Sequence, residues 1–474
     1  MSTRLAVIGA GPGGYAAAFH AADMGMKVTL VDADPNPGGV CTFRGCIPSK
    51  ALLHAAKVIE EAKHAEVFGM SFGKLSIDIA KLRGWKDAVV KKQTGGLGLL
   101  AKSRKVEFIQ GRASIVDART LSVETSGGER RVETDYIIIA TGSRPAAVPG
   151  VSIDSPRVLN STTALDLPDV PKRLLVVGGG YIGLELGTVY AALGSKVSVV
   201  EMTDGLLPGA DRDLAAMVAK RMATAAEAIL LETKVTSVKE DKNGLTVTFE
   251  GRNAPDDAQT FDRVLVAVGR KPNSLIAGLN KTRVKVNQRG FIEVDRQMRT
   301  VEPSIFAIGD VVGDPMLAHK ASHEARVAVE VIQGRAAAFE PRAIPAVVFT
   351  DPELAWTGLT EADAKKQNIP VEVANFPWAA SGRATTLERP DGLTKLIIDP
   401  ETERILGVGI VGSGAGELIA EGTLAVEMGA VAADLKMTIH PHPTLSETVM
   451  EAADVFFGES AHVYKAKKRA EGLM

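Results

Sequence analysis

The sequence predicts an α/β protein in which one βαβ unit occurs twice and a carboxy-terminal α+β segment of different character follows. Three observations carry that prediction. Gly9-Ala-Gly11-Pro-Gly13-Gly14 and Gly178-Gly-Gly180-Tyr-Ile-Gly183 each follow a short apolar run and precede a helical pattern. Gly9, Gly11, Gly14, Gly25, Lys27, Val28 and Asp32 map onto Gly178, Gly180, Gly183, Gly194, Lys196, Val197 and Glu201 at one constant offset without a gap, and a match over a whole supersecondary unit marks an internal repeat. After Pro345 the chain changes to alternating strand patterns with two later helical runs.

In chain order, Leu5–Ile8 reads as the first strand, Tyr15–Met24 as its helix, and Val28–Val31 as the next strand, ending at Asp32. In that context the glycines allow a tight turn and close approach of a pyrophosphate. The helix N-terminus attracts the phosphates, and the acid accepts hydrogen bonds from a ribose. The repeat supplies the same parts in Leu174–Val177, Leu184–Leu193, Lys196–Val200 and Glu201. Two Rossmann-like dinucleotide-binding domains are therefore expected. At the second, Glu201 repels a 2′-phosphate, and Met202, Thr203 and Asp204 offer no arginine to hold one, which favours NAD(H) over NADP(H).

Lys50–Lys63 and Leu82–Ser103 read as helices, and Tyr136–Ile139 as a buried strand before Ala140-Thr141-Gly142-Ser143. The Pro-, Ser-, Thr- and Asp-rich stretch from Pro149 to Pro171 places the first boundary, giving units at 1–148, 149–270, 271–345 and 346–474. Arg263–Val268 is a strand closed by Gly269-Arg270-Lys271-Pro272. Ser304–Ile308 is another, ending in Gly309-Asp310 before a helical pattern from Leu317 to Gln333. An aspartate there either binds a ribityl or phosphate chain or caps a turn. In the last unit Ala346–Thr350, Thr394–Ile398 and Leu406–Val411 read as strands, and Gly416–Met428 and Glu447–Phe456 as helices.

The chain's two cysteines, Cys41 and Cys46, both lie in GGVCTFRGCIPSK. A structural zinc needs about four nitrogen or sulfur ligands, and no further cysteine exists to supply them. A staple closing so short a loop removes little unfolded-state entropy. Residues five apart on an ideal helix point about 140° away from each other, so a bond between them needs a distorted turn, which Gly45 and Pro48 allow. Strained or exposed disulfides are the reducible kind. A redox pair is the reading; two inert buried thiols are the alternative. Near the other end, His440-Pro-His442-Pro-Thr-Leu-Ser-Glu447 puts a carboxylate beyond a histidine. That is either a general base with its orienting acid or a surface histidine in a proline turn.

Composition narrows the class. With 45% hydrophobic and 24% charged residues and a formal net charge of −2, the chain is expected to be soluble and not to bind nucleic acid. Its apolar runs are far too short to span a membrane. The opening MSTRLAVIGAG runs straight into a strand without a secretory or transit pattern, so a cytoplasmic location is expected.

Jointly, these motifs resemble the pyridine nucleotide–disulfide oxidoreductases over essentially the whole length. They are most similar to the branch that oxidises protein-bound dihydrolipoamide to lipoamide with reduction of NAD⁺ to NADH. The resemblance implies bound FAD at Gly9, Gly11, Gly14, Asp32, Gly39, Lys50, Ala113, Thr141, Gly142, Ser143, Asp310, Met316, Leu317, Ala318 and His319. It implies NAD at Gly178, Gly180, Gly183, Glu185, Glu201, Val235 and Gly269, and no metal. It further implies a Cys41–Cys46 disulfide, with Cys41 the outer thiol that meets substrate and Cys46 the inner thiol in charge-transfer contact with the flavin. Lys50 and Glu185 would pair beside the flavin ring. The carboxy-terminal domain would form a homodimer in which His442 and Glu447 serve the partner's cysteines. The expected partner is the lipoyl domain of a 2-oxo acid dehydrogenase complex or a glycine cleavage carrier protein. Another NAD(P)H-dependent disulfide reductase and a non-catalytic redox-sensing flavoprotein are the alternatives. Mercuric reductases are expected to carry thiols near the carboxy terminus, where this chain reads AEGLM, and Glu201 argues against the NADPH of glutathione reductases. Thr42-Phe43-Arg44 departs from the family's usual Leu-Asn pattern between the cysteines. Arg44 either lowers a thiol pKa or is a solvated charge at the rim of the site.

Overall fold

The computed structural model describes residues 2–464. Short β-branched runs bounded by glycine turns form parallel strands, which crossover helices cover. The first sheet runs Ile305–Ala307, Tyr136–Ile139, Arg4–Ile8, Lys27–Asp32, Glu107–Gln110, every neighbour parallel. The second runs Ala228–Leu230, Lys196–Val200, Arg173–Val177, Arg263–Val266, Val158–Asn160, again all parallel. The sequence repeat persists down to register, with Arg4 opposite Lys27 and Arg173 opposite Lys196. At the strand ends the Gly9 amide donates to the Val31 carbonyl at 2.8 Å, and the Gly178 amide to that of Val200 at 2.9 Å. Gly9 has a φ of +98°, and a Cβ there would lie 2.3 Å from the Ala140 carbonyl oxygen. Only glycine lets the turn pass that close to the neighbouring strand.

The chain returns to its first sheet after leaving the second. Residues 271–345 supply the edge strand Ile305–Ala307, and their Ala318–Ile332 helix packs along Pro12–Asp23. The last unit is an antiparallel sheet ordered Ala346–Val348, Glu353–Gly358, Ile405–Gly412, Leu393–Ile398, Glu372–Pro377. Helices Ala415–Met428 and Glu447–Phe457 pack on it around the fully buried Trp378 and Val449. The indole does not leave its N–H unpaired, because Thr394 Oγ1 accepts it at 3.0 Å. The architecture is thus two Rossmann-like dinucleotide-binding domains plus a carboxy-terminal α+β domain.

One boundary moves in an informative way. The helix expected from Lys50 begins at Cys46 and runs to His64, directly after a short helix, Gly39–Arg44. Gly45, at φ −147° and ψ −116°, breaks the two apart. Pro48 sits in the first turn, where its missing N–H costs nothing.

A buried ammonium ties the second domain to the last. Lys395 is fully buried, and its Nζ donates to Asp213 at 2.6 Å, to Asp211 at 3.4 Å, and to Glu361. Burial works against its charge, but the carboxylates outweigh burial and raise its pKa above the ordinary lysine value. These three carboxylates converge closely enough to suggest a cation site, and the lysine occupies that role. Replacing it by methionine leaves the buried Asp211 without a cation, and breaking such a pair costs roughly 3 kcal/mol. Denaturant unfolding of Lys395→Met is therefore expected to show a clear drop in midpoint; an unchanged midpoint would mean that solvent already screens the cluster.

Candidate active site

The redox segment is held against the first glycine turn by close backbone packing. Gly39 has a φ of +55°, and a Cβ on it would lie 2.5 Å from Gly11 Cα. The Gly38 amide donates to the Ala10 carbonyl at 2.7 Å. This brings Cys41 and Cys46 to the wall of a cavity of about 1270 Å³. The same wall carries Gly9, Gly11, Asp32, Gly39, Lys50, Ala113, Thr141, Gly142, Ser143, Asp310, Met316 and Ala318, joined from the second domain by Glu185.

At one end Asp32 closes the second strand. Its carboxylate accepts the amides of Ala10 at 2.6 Å and Asp34 at 2.9 Å, and burial raises its pKa despite those bonds. Glu201 does the same in the second domain, accepting from the Gly179 amide at 2.7 Å and the Thr203 amide at 2.9 Å. At the opposite side of the first glycine motif Ser143 Oγ donates to Asp310 Oδ2 at 2.5 Å and accepts from Arg270 Nε at 2.7 Å. Asp310 therefore faces the cavity, and Leu317 caps the helix that follows.

The thiols are free and share a hydrogen bond. Cys46 is brought down to about 7 by that bond first and, against burial, by the Lys50 ammonium. Cys41 is pushed well above the ordinary thiol value by the same bond, by burial and by the charge of Cys46. Cys46 is thus the thiol whose ionisation is favoured near neutrality. Lys50 Nζ lies 2.7 Å from Glu185 Oε2, which also accepts Ser49 Oγ at 3.1 Å. Glu185 is buried, and its other oxygen accepts the Phe349 amide at 3.1 Å.

Some expected residues lie elsewhere. Leu317 and His319 are absent from the cavity wall, and the His319 ring nitrogen turns to the Pro345 carbonyl at 2.8 Å. Gly14 is also off the wall; a Cβ on it would fall 1.8 Å from the Gly9 carbonyl oxygen, so its part is to close the turn. Gly178, Gly180, Gly183, Glu201, Val235 and Gly269 belong to the second domain's strand ends and helix start, outside this cavity. Arg44 stands on the cavity wall as a charge at the rim of the site, its side chain 38% exposed and its Nη2 2.6 Å from Asp34 Oδ2. Sequence reading missed Tyr181, Arg270 and the polar wall formed by Ser122, Glu124 and Glu129. Only the Gly178–Gly183 motif, in whose turn Tyr181 sits, offered a signal.

Far along the chain, Glu447 opens the last helix and bonds His442, Oε1 to Nδ1, at 2.9 Å. Its second oxygen accepts the Thr444 amide at 2.7 Å. Burial alone would raise this carboxyl, but the Thr444 and His442 bonds hold it below the usual range. The His442 side chain is 77% exposed, and neither residue lines the cavity.

Residues 3–325 match the model of the pyridine nucleotide–disulphide oxidoreductases, and residues 344–453 match that family's dimerisation domain. The chain belongs to this family. Dihydrolipoyl dehydrogenases of Haemophilus influenzae and Vibrio cholerae are 50% and 49% identical to it, each match covering 99% of this chain and 98% of the relative. Among solved structures, LpdA from Mycobacterium tuberculosis superposes with a TM-score of 0.88 at 28% identity, covering 95% of this chain and 99% of that one. The HOCl-induced flavoprotein disulfide reductase RclA from Escherichia coli superposes at 0.84 with 27% identity, over 96% and 99%. Among the described residues no helix is long and apolar enough to cross a membrane.

A pH dependence is expected from the thiol brought down to about 7: the Cys46 thiolate, the nucleophilic form, should grow as pH rises through that value. Iodoacetamide labelling of Cys46 in the reduced protein, followed by peptide mapping, is expected to rise with pH through a midpoint near 7 and to level off only above it, by about one to two pH units. Arg44→Ala is expected to leave that midpoint in place, since its guanidinium faces Asp34; a shifted midpoint would restore Arg44 as a thiol-tuning group.

Proposed function

We infer that this protein is an NAD-dependent flavin disulfide oxidoreductase acting as a dihydrolipoyl dehydrogenase. It converts protein-bound dihydrolipoamide and NAD⁺ to lipoamide, NADH and a proton. The observation that carries the reading is the Cys41–Cys46 dithiol on the wall of a dinucleotide-sized cavity, with Lys50 and Glu185 paired beside it.

The cavity suits FAD by its own features. The Pro12–Asp23 helix has no side-chain cap at its N-terminus, so its first-turn amides are available to a pyrophosphate. Asp32 stands where a ribose hydroxyl would donate. Gly9, Gly11, Gly39, Ala113, Thr141, Gly142, Ser143, Asp310, Met316 and Ala318 would hold the rest, with Lys50 at the ring. The second helix, Tyr181–Leu193, is likewise uncapped at Gly180 and would take NAD, with Gly178, Gly183, Glu201, Val235 and Gly269 around it. When bound, FAD supplies the two-electron relay between thiols and nicotinamide.

The side chains divide the remaining work. Cys41 is the outer thiol that exchanges with substrate, and Cys46 is the inner thiol that closes the disulfide with it. In the dithiol, Cys46 is helped to ionise first by the hydrogen bond from Cys41 and then by Lys50, which pairs with Glu185. His442 accepts the proton of the substrate dithiol; Glu447 on its Nδ1 sets the tautomer that leaves Nε2 free to do so. Because His442 is off the wall of its own chain's cavity, it serves the cavity of a second copy. The matched dimerisation domain supports that homodimer. The proposed partner is a lipoyl domain of a 2-oxo acid dehydrogenase complex or a glycine cleavage carrier protein, and the proposed location is the cytoplasm.

Purified protein is expected to carry FAD and to reduce NAD⁺ with dihydrolipoamide, with little activity towards glutathione disulfide. Cys41→Ser and Cys46→Ser should each lose at least about a thousandfold in turnover, and His442→Gln about a hundredfold or more. Retained lipoamide-linked activity in Cys41→Ser would refute the mechanism. A preference for glutathione disulfide would instead make the protein another kind of disulfide reductase.

A further inference from the structure

Phe349 follows the Ala346–Val348 strand at the start of the carboxy-terminal domain, yet it touches both members of the Lys50–Glu185 pair. Its backbone amide donates to Glu185 Oε1 at 3.1 Å. Its ring centroid lies 4.5 Å from Lys50 Nζ. We propose that Phe349 is a positioning residue, whose ring fixes the Lys50 ammonium against Glu185 so that the carboxy-terminal domain governs how readily Cys46 ionises.

The lysine needs such a constraint. Its side chain is long, flexible and 34% exposed, whereas Glu185 at 4% is held by three donors. One 2.7 Å contact fixes the ammonium's distance from Glu185 and leaves its direction open. An aromatic face at 4.5 Å supplies the second constraint, since a cation is attracted to the centre of the ring. Direction matters because the groups around Cys46 act in opposite senses. Lys50 favours its thiolate and Glu185 opposes it; Cys41 donates to it; Tyr181 and Tyr15 lie near enough to feel its charge. An ammonium that drifts from its place weakens the favourable influence and leaves the buried acid's influence intact. The amide bond to Glu185 belongs to the backbone and survives any change of side chain, so the ring can be tested alone.

This inference rests on the dithiol reading above, but thiol ionisation can be measured whether or not lipoamide turns over. The experiment is the pH dependence of iodoacetamide labelling at Cys46, in reduced full-length protein carrying Cys41→Ser. Phe349→Leu is expected to raise the labelling midpoint by about half a unit. Phe349→Tyr keeps the ring and should keep the midpoint. With Lys50→Met already present, Phe349→Leu should add nothing. Should the leucine variant fold poorly, Phe349→Met, unbranched and able to fill an irregular gap and also without a ring, carries the same comparison. An unchanged midpoint in the ringless variants would overturn the proposal, as would a shift of the same size in the Lys50→Met background.

Discussion

One buried carboxylate joins the three parts of this chain. Glu185 belongs to the second domain's first helix, accepts Ser49 and Lys50 from the redox helix of the first, and accepts the Phe349 amide from the third. A charge this deeply buried is tolerable only when its oxygens are satisfied and a counter-ion is close. Ser49 and Lys50 come from the Cys46–His64 helix and the Phe349 amide from the segment after the Ala346–Val348 strand, so the donors belong to two different domains. The carboxylate therefore fixes the relative placement of all three domains at the point where the dithiol meets the cavity. Lys395 repeats the arrangement with opposite sign on the other side of the second domain, where a buried ammonium gathers carboxylates. Between them, the second domain is tied at one end to the redox helix and at the other to the carboxy-terminal sheet.

Much of this was legible because the glycine motifs are constrained by backbone geometry alone. Gly9 must be glycine whatever surrounds the domain, and its counterpart Gly178 faces the same neighbouring-strand carbonyl. The repeat could therefore be read from residue types and spacing, down to a register that the structure keeps. Asp32 and Glu201 were visible as acids at the ends of second strands; the sequence pointed them at a ribose, and in the structure each also accepts an amide of the turn beside it.

What was not legible came from contacts between segments distant in sequence. Arg44 could be placed beside the thiols or in solvent from its position between two cysteines. Its partner, Asp34, ten residues earlier, pairs with it only once the short helix that ends at Gly45 is folded against the second strand's end. The polar cavity wall at Ser122, Glu124 and Glu129 comes from the antiparallel strands Thr120–Thr125 and Gly128–Glu133. In such strands, residues facing a cavity and residues facing water look alike. The ring of His319 bonds the Pro345 carbonyl, a partner 26 residues away that the local motif does not indicate. Phe349 reads as one more apolar residue of a strand, and nothing nearby in the sequence points to the lysine it meets.

The two cysteines and His442 also differ in what holds them. Cys41 and Cys46 are fixed by packing against the first glycine turn, so their geometry is complete within one chain. His442 is held by Glu447, which the Thr444 amide holds in turn, yet its side chain is 77% exposed. Orienting an imidazole with a buried-edge carboxylate while leaving it in water gains little for stability, because exposed pairs contribute little. The arrangement has a purpose if a second copy brings a dithiol to it. Dimerisation then becomes part of the chemistry, and the same carboxy-terminal domain reaches the reaction by two routes, through His442 across the interface and through Phe349 within its own chain.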